Sequence, residues 1–414
     1  MRVLLIHQAF CGPADPGGTR HYELGRRLVA AGHRLTVVTS RYSYLTGEQK
    51  CTAEDCGGIE LRFAKSVPGL HRSNFWRLFV FTYFMMSSIV AGSRVGETDV
   101  ILGTTPSIFQ AVSAYVIAAV RGCRFVLEVR DLWPEFAIDL GLLRSPLLIW
   151  LARRLEAFLY MRADHIIVNS PAYREYLLGN GIADAKISLV ANGVDTSLFD
   201  PAARGEAFRR EQELGDKFVV MYAGALGFAN DIDCLLRAAS RFREDPGVVV
   251  VIVGDGRELP RLRVEADALN LNNVRFVAAQ PKQRMAEILA AADVCVATLK
   301  NVPMFRTTYP NKVFDYMATG RPTILATDGV IRQVIENAGG GLVVAPGDDA
   351  ALWNAIMQLR FSPELRREMG ANARSYVTQH FDREAQGAHF VKVLESICLH
   401  RATVEKASIP AAEL

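Results

Sequence analysis

The chain has 414 residues, of which 50% are hydrophobic and 22% charged, with a net charge of +3. That length suits two ordinary domains with separate cores, and so mild a positive charge offers nucleic acid nothing beyond a local patch. Seven cysteines, odd in number and scattered without a C-x-x-C pair, read as reduced thiols of a cytosolic protein.

Taken in order, residues 3–6 form an apolar run of strand length. Polar, Gly-rich sequence follows at once, which is not the pattern of a signal peptide. The loop HQAFCGPADPGG leads into a helix expected over 19–31 and closed by Gly32. Gly17 and Gly18 permit close backbone approach to a phosphate or sugar ring, with the following N–H groups pointing at it. The plainer alternative is a loop and a helix start capped by Thr19. Arg20, just inside the helix, could meet the phosphates or another anionic group of a ligand, and His21 is grouped with it. The spacing is not a dinucleotide fingerprint: no G-x-G-x-x-G occurs, since VGDGREL stops at two glycines.

Residues 74–94 hold the greasiest stretch, WRLFVFTYFMMSSIVAG. It falls short of the roughly 20 residues that span a bilayer and contains Arg77, so a buried helix is expected. A strand at 100–103, a helix at 107–120 and a strand at 125–129 follow, and the last delivers EVRDLWPE at its carboxyl end. In doubly wound sheets such ends face the ligand crevice. Arg130 can donate hydrogen bonds and offset phosphate charge but cannot act as a base, which leaves Asp131 as the better base for an acceptor hydroxyl. A surface salt bridge is the bland alternative. Residues 145–164, SPLLIWLARRLEAFLYMRAD, make a basic amphipathic helix with an aromatic edge, suited to an anionic membrane surface or simply to covering a sheet. HIIVNS is then a strand, 171–179 a helix, and ISLVANGVDTSLFDP closes the half, with turn chemistry at Asn192-Gly193.

The second half repeats the pattern, with strands at 218–223, 248–253 (running into GDG), 274–277 and 294–298. The loop after its first strand, GALGFANDID, carries no basic residue. DID at 231–233 spells a D-x-D, but acids at a helix start cap it and complement its dipole, so no metal is expected. In residues 309–347, YPNKVFDYMATGRPTILATDGVIRQVIENAGGGLVVAPG, Pro310 breaks the preceding segment and Asn311 reads as an N-cap. Val313, Phe314 and Met317 give the short helix an apolar face. Lys312 and Asp315 sit one turn apart near its N-terminus. Free N–H groups and the dipole there suit a diphosphate, and the Asp315 carboxylate can accept from ribose hydroxyls. The alternative is a helix pair at i, i+3. Helices are expected at 349–359, 363–378 and 383–400, with a mobile tail.

FDYMATGRP, TILAT and GGGLVVAPGDD resemble the donor-binding signature of the family 4 glycosyltransferases, and PNK before the acid is most similar to the bacterial surface-polysaccharide branch that includes N-acetylfucosamine transferases. GG, GTRHYELGRRLVAAGHRLTVVT, RDLWP, NGVD and GDG fall in the family's order. The resemblance implies the GT-B fold: α/β, two Rossmann-like doubly wound parallel-sheet domains facing across a cleft, over 1–195 and 196–382, with a C-terminal helix at 383–414 crossing back to the first. It implies a retaining transferase that moves a sugar, an N-acetylhexosamine or related deoxysugar, from a UDP-linked donor to a hydroxyl of a lipid-linked saccharide. No cofactor or metal is implied, and no nucleic-acid partner. The expected place is the cytoplasm, peripheral at the inner face of the membrane. Implied donor contacts are Gly17, Gly18, Gly224, Thr307, Thr308, Asn311, Lys312 and Asp315, with Arg130, Asp131 and Lys312 in catalysis and an acceptor-side place for Arg20 and His21. Two departures stand out. Thr307 and Asp315 replace the family's two glutamates, and the loop after the first C-terminal strand lacks the family's Arg and Lys, for which Lys300, Arg306 and above all Lys312 could substitute. A sugar-nucleotide epimerase of the same fold and a non-catalytic nucleotide-sugar-binding subunit are the alternatives.

Overall fold

The computed structural model describes residues 1–12, 15, 18–43, 47–50, 55–69 and 74–407. The chain divides into two compact units, Met1–Ala191 with Glu384–Leu414, and Asn192–Arg383. Gly17 and residues 408–414 of the tail lie outside the described residues.

The first unit is built on strands β1 (Arg2–Ile6), β2 (Arg34–Ser40), β3 (Asp55–Cys56), β4 (Ile59–Ala64), β5 (Val100–Thr104), β6 (Arg124–Val129), β7 (His165–Val168) and β8 (Ile187–Leu189). They order as β3-β4-β2-β1-β5-β6-β7-β8, parallel except for the short β3–β4 pair. Helices α1 (Arg20–Ala30), α2 (Asn74–Ser93), α3 (Ile108–Arg121), α4 (Glu135–Asp139), α5 (Pro146–Arg162) and α6 (Pro171–Gly179) connect them. Near-continuous Val, Ile and Leu in β1, β5 and β6 is what a sheet covered on both faces requires. Leu24 and Leu28 of α1 cover one face together with Phe390, Val393 and Leu394 of the last helix.

The second unit starts with α7 (Glu206–Glu211) and alternates β9 (Phe218–Ala223), α8 (Ile232–Ser240), β10 (Val248–Val253), α9 (Leu259–Ala268), β11 (Val274–Val277), α10 (Lys282–Ala290), β12 (Val294–Thr298), α11 (Asn311–Ala318), β13 (Thr323–Ala326), α12 (Val330–Ala338) and β14 (Gly341–Val343). Helices α13 (Asp349–Phe361), α14 (Pro363–His380) and α15 (Arg383–Ala407) complete the chain, and all but the first residue of α15 belong to the first unit. The strand order is β11-β10-β9-β12-β13-β14. In both units the first strand of the sheet lies beside the second on one side and the fourth parallel strand on the other. The order therefore reverses at β1/β5 and at β9/β12, and such switch points open a crevice at the strands' carboxyl ends.

Two sequence expectations change. The strands β3 and β4 have no counterpart in the sequence reading, because Asp55, Cys56, Glu60 and Arg62 dilute the apolar signal of this edge. Helix α2 is not a buried core helix: Phe75, Leu78, Phe79, Met86 and Val90 are all about half or more exposed, and only its Val80, Phe84 and Ser88 face is buried.

Candidate functional site

In the second unit, β9 ends at Ala223 and the chain turns at Gly224, whose φ of 157° and missing side chain admit Lys312. A Cβ at Gly224 would stand 3.1 Å from Lys312 Cε and 3.3 Å from its Nζ. Gly254, at the end of β10, has no room for one at all, because it would lie 1.9 Å from the Gly224 carbonyl oxygen. The loop is pinned from several sides. Tyr222 Oη donates to Ala225 O at 2.8 Å, Lys300 N donates to Ala229 O at 2.9 Å, and Thr298 Oγ1 donates to Asn230 O.

Helix α11 is fixed against the same strand end. Tyr316 Oη donates to Ala223 O at 2.9 Å and accepts from Ala223 N at 2.8 Å. Pro310, not Asn311, occupies the N-cap position, and Asn311 is the exposed first residue of the helix. This places Lys312 in the first turn. Its Nζ donates to Tyr222 Oη at 2.6 Å and to Asn230 Oδ1 at 2.7 Å, and lies 4.3 Å from the centre of the Tyr222 ring. Burial pushes the amine down to about 7 and holds the Tyr222 phenol well above its ordinary value. Both hydrogen-bond partners are therefore neutral, and the amine is stabilised as a cation only when a negative group arrives.

The other expected donor residues of the second unit lie on α11 and the segment leading into it. Asp315 is half-buried one turn after Lys312. Thr307 Oγ1 and Thr308 Oγ1 donate to the carbonyls of Met304 and Phe305, at 2.6 and 2.9 Å, so both hydroxyl protons are spent locally. Lys300 sits with its Nζ 3.5 Å from the centre of the half-exposed Phe228 ring, and Arg306 donates to Asn301 Oδ1 at 3.2 Å. Asp233 of the D-x-D is clasped by Arg261 at 2.7 and 2.9 Å, while Asp231 is the left-handed N-cap of α8.

At the switch point of the first unit the chemistry is a closed network. Glu128 on β6 is fully buried; Arg20 Nε donates to its Oε1 at 3.0 Å, Thr104 Oγ1 donates to Oε2 at 2.9 Å, and His21 Nε2 lies 2.5 Å from Oε2. Burial alone would raise this carboxyl, but His21, Arg20 and Arg130 outweigh it and hold it well below the usual range. Burial lowers His21 despite the opposing pull of Glu128. Arg20 also donates to Ala191 O at 2.8 Å and Val190 O at 2.7 Å. The expectation that Arg20 meets a ligand anion is thereby corrected: the guanidinium is buried and committed to the fold.

The rim is different. Arg130 N and Asp131 N both donate to Thr105 Oγ1, at 2.8 and 3.1 Å, and Arg130 Nε is buried without a partner. Burial, only partly offset by Arg130, pushes the Asp131 carboxyl up to about 6. His7, at the end of β1, meets His21 with ring centres 4.4 Å apart and planes tilted by 59°, and leaves Nδ1 unpartnered. Lys50, pushed down to about 8 by burial, donates to Gln8 O at 3.3 Å and Thr39 Oγ1 at 3.1 Å. Gly18 is exposed, with open space where a side chain would stand. Nearby, Gln8, Ser40, Tyr42 and Ser43 line a shallow polar dent.

Comparison with known proteins decides the family. Residues 17–198 match the model for Glycosyltransferase Family 4, and residues 204–376 match that for Glycosyl transferases group 1. Together the two matches span most of the chain, and they make it a glycosyltransferase of the GT-B type. This glycosyltransferase is 24% identical over 380 residues to a putative colanic acid biosynthesis glycosyl transferase, WcaI, of Escherichia coli strain K12, covering 87% of the chain and 92% of the relative. It is 27% identical over 286 residues to the probable glycosyltransferase WbjE of Pseudomonas aeruginosa, covering 68% and 70%. Among solved structures, Anabaena Alr3699/HepE in complex with UDP superposes with a TM-score of 0.74 at 18% identity, covering 96% of this chain and all of that one. Sucrose-phosphate synthase from Thermosynechococcus elongatus does so at 0.78 and 21%, covering 96% and 98%. The fold is GT-B.

His7, Lys50, Thr105, Glu128, Tyr222 and Asn230 were not singled out from the sequence of this glycosyltransferase. Glu128 had a readable signal, since a carboxylate inside the apolar strand RFVLEV demands buried partners. The others depend on which strand ends the topology brings together.

Proposed function

We propose that this glycosyltransferase moves a sugar, an N-acetylhexosamine or related deoxysugar, from a UDP-linked donor to a hydroxyl of a lipid-linked saccharide in the synthesis of a bacterial surface polysaccharide, with retention of configuration. One observation carries the donor half: the Lys312 amine stands at the β9/β12 switch point on two neutral partners, with Gly224 leaving it space. The usual basic pair is missing from the loop after β9, and this amine reaches Asn230 of that same loop from α11. Lys312 is our candidate for the cation that this loop lacks.

In the reaction the bond from C1 to the diphosphate oxygen breaks and a bond from C1 to the acceptor oxygen forms. Negative charge grows on the diphosphate, and Lys312 with the first-turn N–H groups of α11 offsets it. Asp315 accepts from the ribose hydroxyls. Asp131 takes the acceptor proton; its raised pKa makes it a stronger base than an ordinary aspartate while leaving it mostly ionised at neutral pH. The alternatives of an epimerase and a non-catalytic subunit make different products or none. The names of WcaI and of the UDP complex of HepE support the polysaccharide and UDP parts of the reading.

The test is incubation with a panel of UDP- and GDP-sugars and a lipid-linked saccharide extract, followed by mass spectrometry and anomeric NMR. Transfer from a UDP-sugar with the donor's anomeric configuration is expected. Interconversion of the sugar nucleotide without acceptor, or an inverted linkage, would contradict the reading.

A further inference from the structure

We propose that the outer faces of α2 and α5 form a docking surface for an anionic lipid bilayer, with α2 as its main apolar element. The proposal goes beyond the transfer reaction and stands on the first unit alone. On α2 the exposed Phe75, Leu78, Phe79, Tyr83, Met86 and Val90 recur every three or four residues, so they share one face of the helix. Trp76, Phe79 and Tyr83 form a ring-to-ring ladder along it, with centres 5.2 and 6.0 Å apart. The opposite face is spent on the fold: Val80, Phe84 and Ser88 are buried, and Ser88 Oγ donates to Ser113 Oγ of α3 at 2.9 Å. At 20 residues α2 is long and apolar enough to cross a membrane, yet its buried stripe ties it down along its length. It can lie on a bilayer without leaving the sheet.

Helix α5 adds Leu147, Trp150, Leu151 and Met161, again at spacings of one face and all about half or more exposed. Its Arg154 lies over Trp150 and Arg162 over Phe158, at 5.5 and 5.4 Å. Helix α3 packs against both α2 and α5, so the three share one side of the sheet.

Charge selects the occupant. Helices α2, α3 and α5 carry Arg77, Arg121, Arg153, Arg154 and Arg162 but a single carboxylate, Glu156, and that one is buried, accepting from Tyr160 Oη at 2.7 Å. Arg153 is held by Glu135 of α4 at 2.7 and 2.9 Å, so Arg154 and Arg162 are the cations set beside the aromatic rings; aromatic and aliphatic side chains edged by such arginines match the acyl boundary and headgroups of an anionic leaflet. Each of these helices follows a parallel strand, so its N-terminal turns lie at the strands' carboxyl ends. The apolar entries to α2 and α5 therefore stand on the same rim as Arg130 and Asp131.

The experiment is flotation of the full chain with phosphatidylglycerol/phosphatidylcholine vesicles and with phosphatidylcholine alone, beside the triple variant Phe75→Ser, Phe79→Ser, Met86→Ser and the double variant Arg154→Gln, Arg162→Gln. Melting temperature and the circular dichroism spectrum check that each variant is folded. The wild type should float with anionic vesicles, the triple variant should lose at least tenfold in bound fraction at any salt, and the double variant should lose binding mainly at low salt. No flotation of the wild type, or a folded triple variant that floats as well as the wild type, would overturn the proposal. So would a wild-type dimer that the triple variant converts to monomer without any vesicle binding, because the face would then belong to a second copy. None of these results depends on whether UDP is the donor nucleotide.

Discussion

The two switch points share a strand order and differ in how charge is held. At β1/β5, Glu128 is ionised in the core and saturated by Arg20, His21 and Thr104. At β9/β12 the half-buried Lys312 has no counter-ion among the described residues, and both its partners are neutral oxygens. Buried charge that is fully partnered fixes a structure, whereas buried charge left waiting for a partner marks where a ligand goes. The rim of the first unit lies between these cases, with Asp131 raised by burial and Arg130 Nε unpartnered.

The contrast can be sharpened by substitution. Asp131→Asn should lower kcat by about 10²- to 10⁴-fold, the usual worth of a positioned base, while leaving UDP affinity unchanged. In the wild type the same carboxyl should produce a rise in kcat/KM as pH passes about 6, absent in the variant. Glu128→Gln leaves Arg20 as a buried charge without its carboxylate and should cost about 3 to 5 kcal/mol of stability, read from the denaturant midpoint. Lys312→Met should do the reverse, weakening donor binding by about 1.5 to 3 kcal/mol, the range for a charged hydrogen bond, without destabilising the fold. The sign follows from the lowered amine pKa. The unfolded chain holds that proton up to about 10.5 and the folded chain only to about 7, so Lys312 opposes folding fully below pH 7 and ceases to do so as pH rises toward 10.5. The variant should therefore melt higher than the wild type at pH 6, and the gap should close in alkali. Asp315→Ala should cost donor binding about 1 to 3 kcal/mol through lost ribose hydrogen bonds; unchanged UDP affinity would remove that assignment.

Much of this was legible in the sequence. Alternating apolar runs and helix signals located both sheets, because strands buried on two faces read as unbroken Val and Ile. The PNKVFD helix and RDLWP named Lys312, Asp315, Arg130 and Asp131 directly. What could not be read was partnership. Arg20 looked like a free cation at a helix start, but its partner Glu128 lies 108 residues away and meets it only once β6 is in place. Tyr222 and Asn230 were silent for the same reason, being defined by an amine 90 and 82 residues further on. Helix α2 misled because apolar composition does not say which face the fold will use.

The most direct test of the central claim is calorimetric titration of a UDP-sugar, whose diphosphate diester does not change charge in this range, into the wild type and Lys312→Met between pH 6 and 8.5. If the donor diphosphate sits on Lys312, wild-type affinity is highest at pH 6 and falls above pH 7, by up to about tenfold per pH unit, and proton uptake accompanies binding. The variant binds weakly with a flat profile. Equal affinity in the two proteins, or a pH slope that survives the substitution, would place the diphosphate elsewhere.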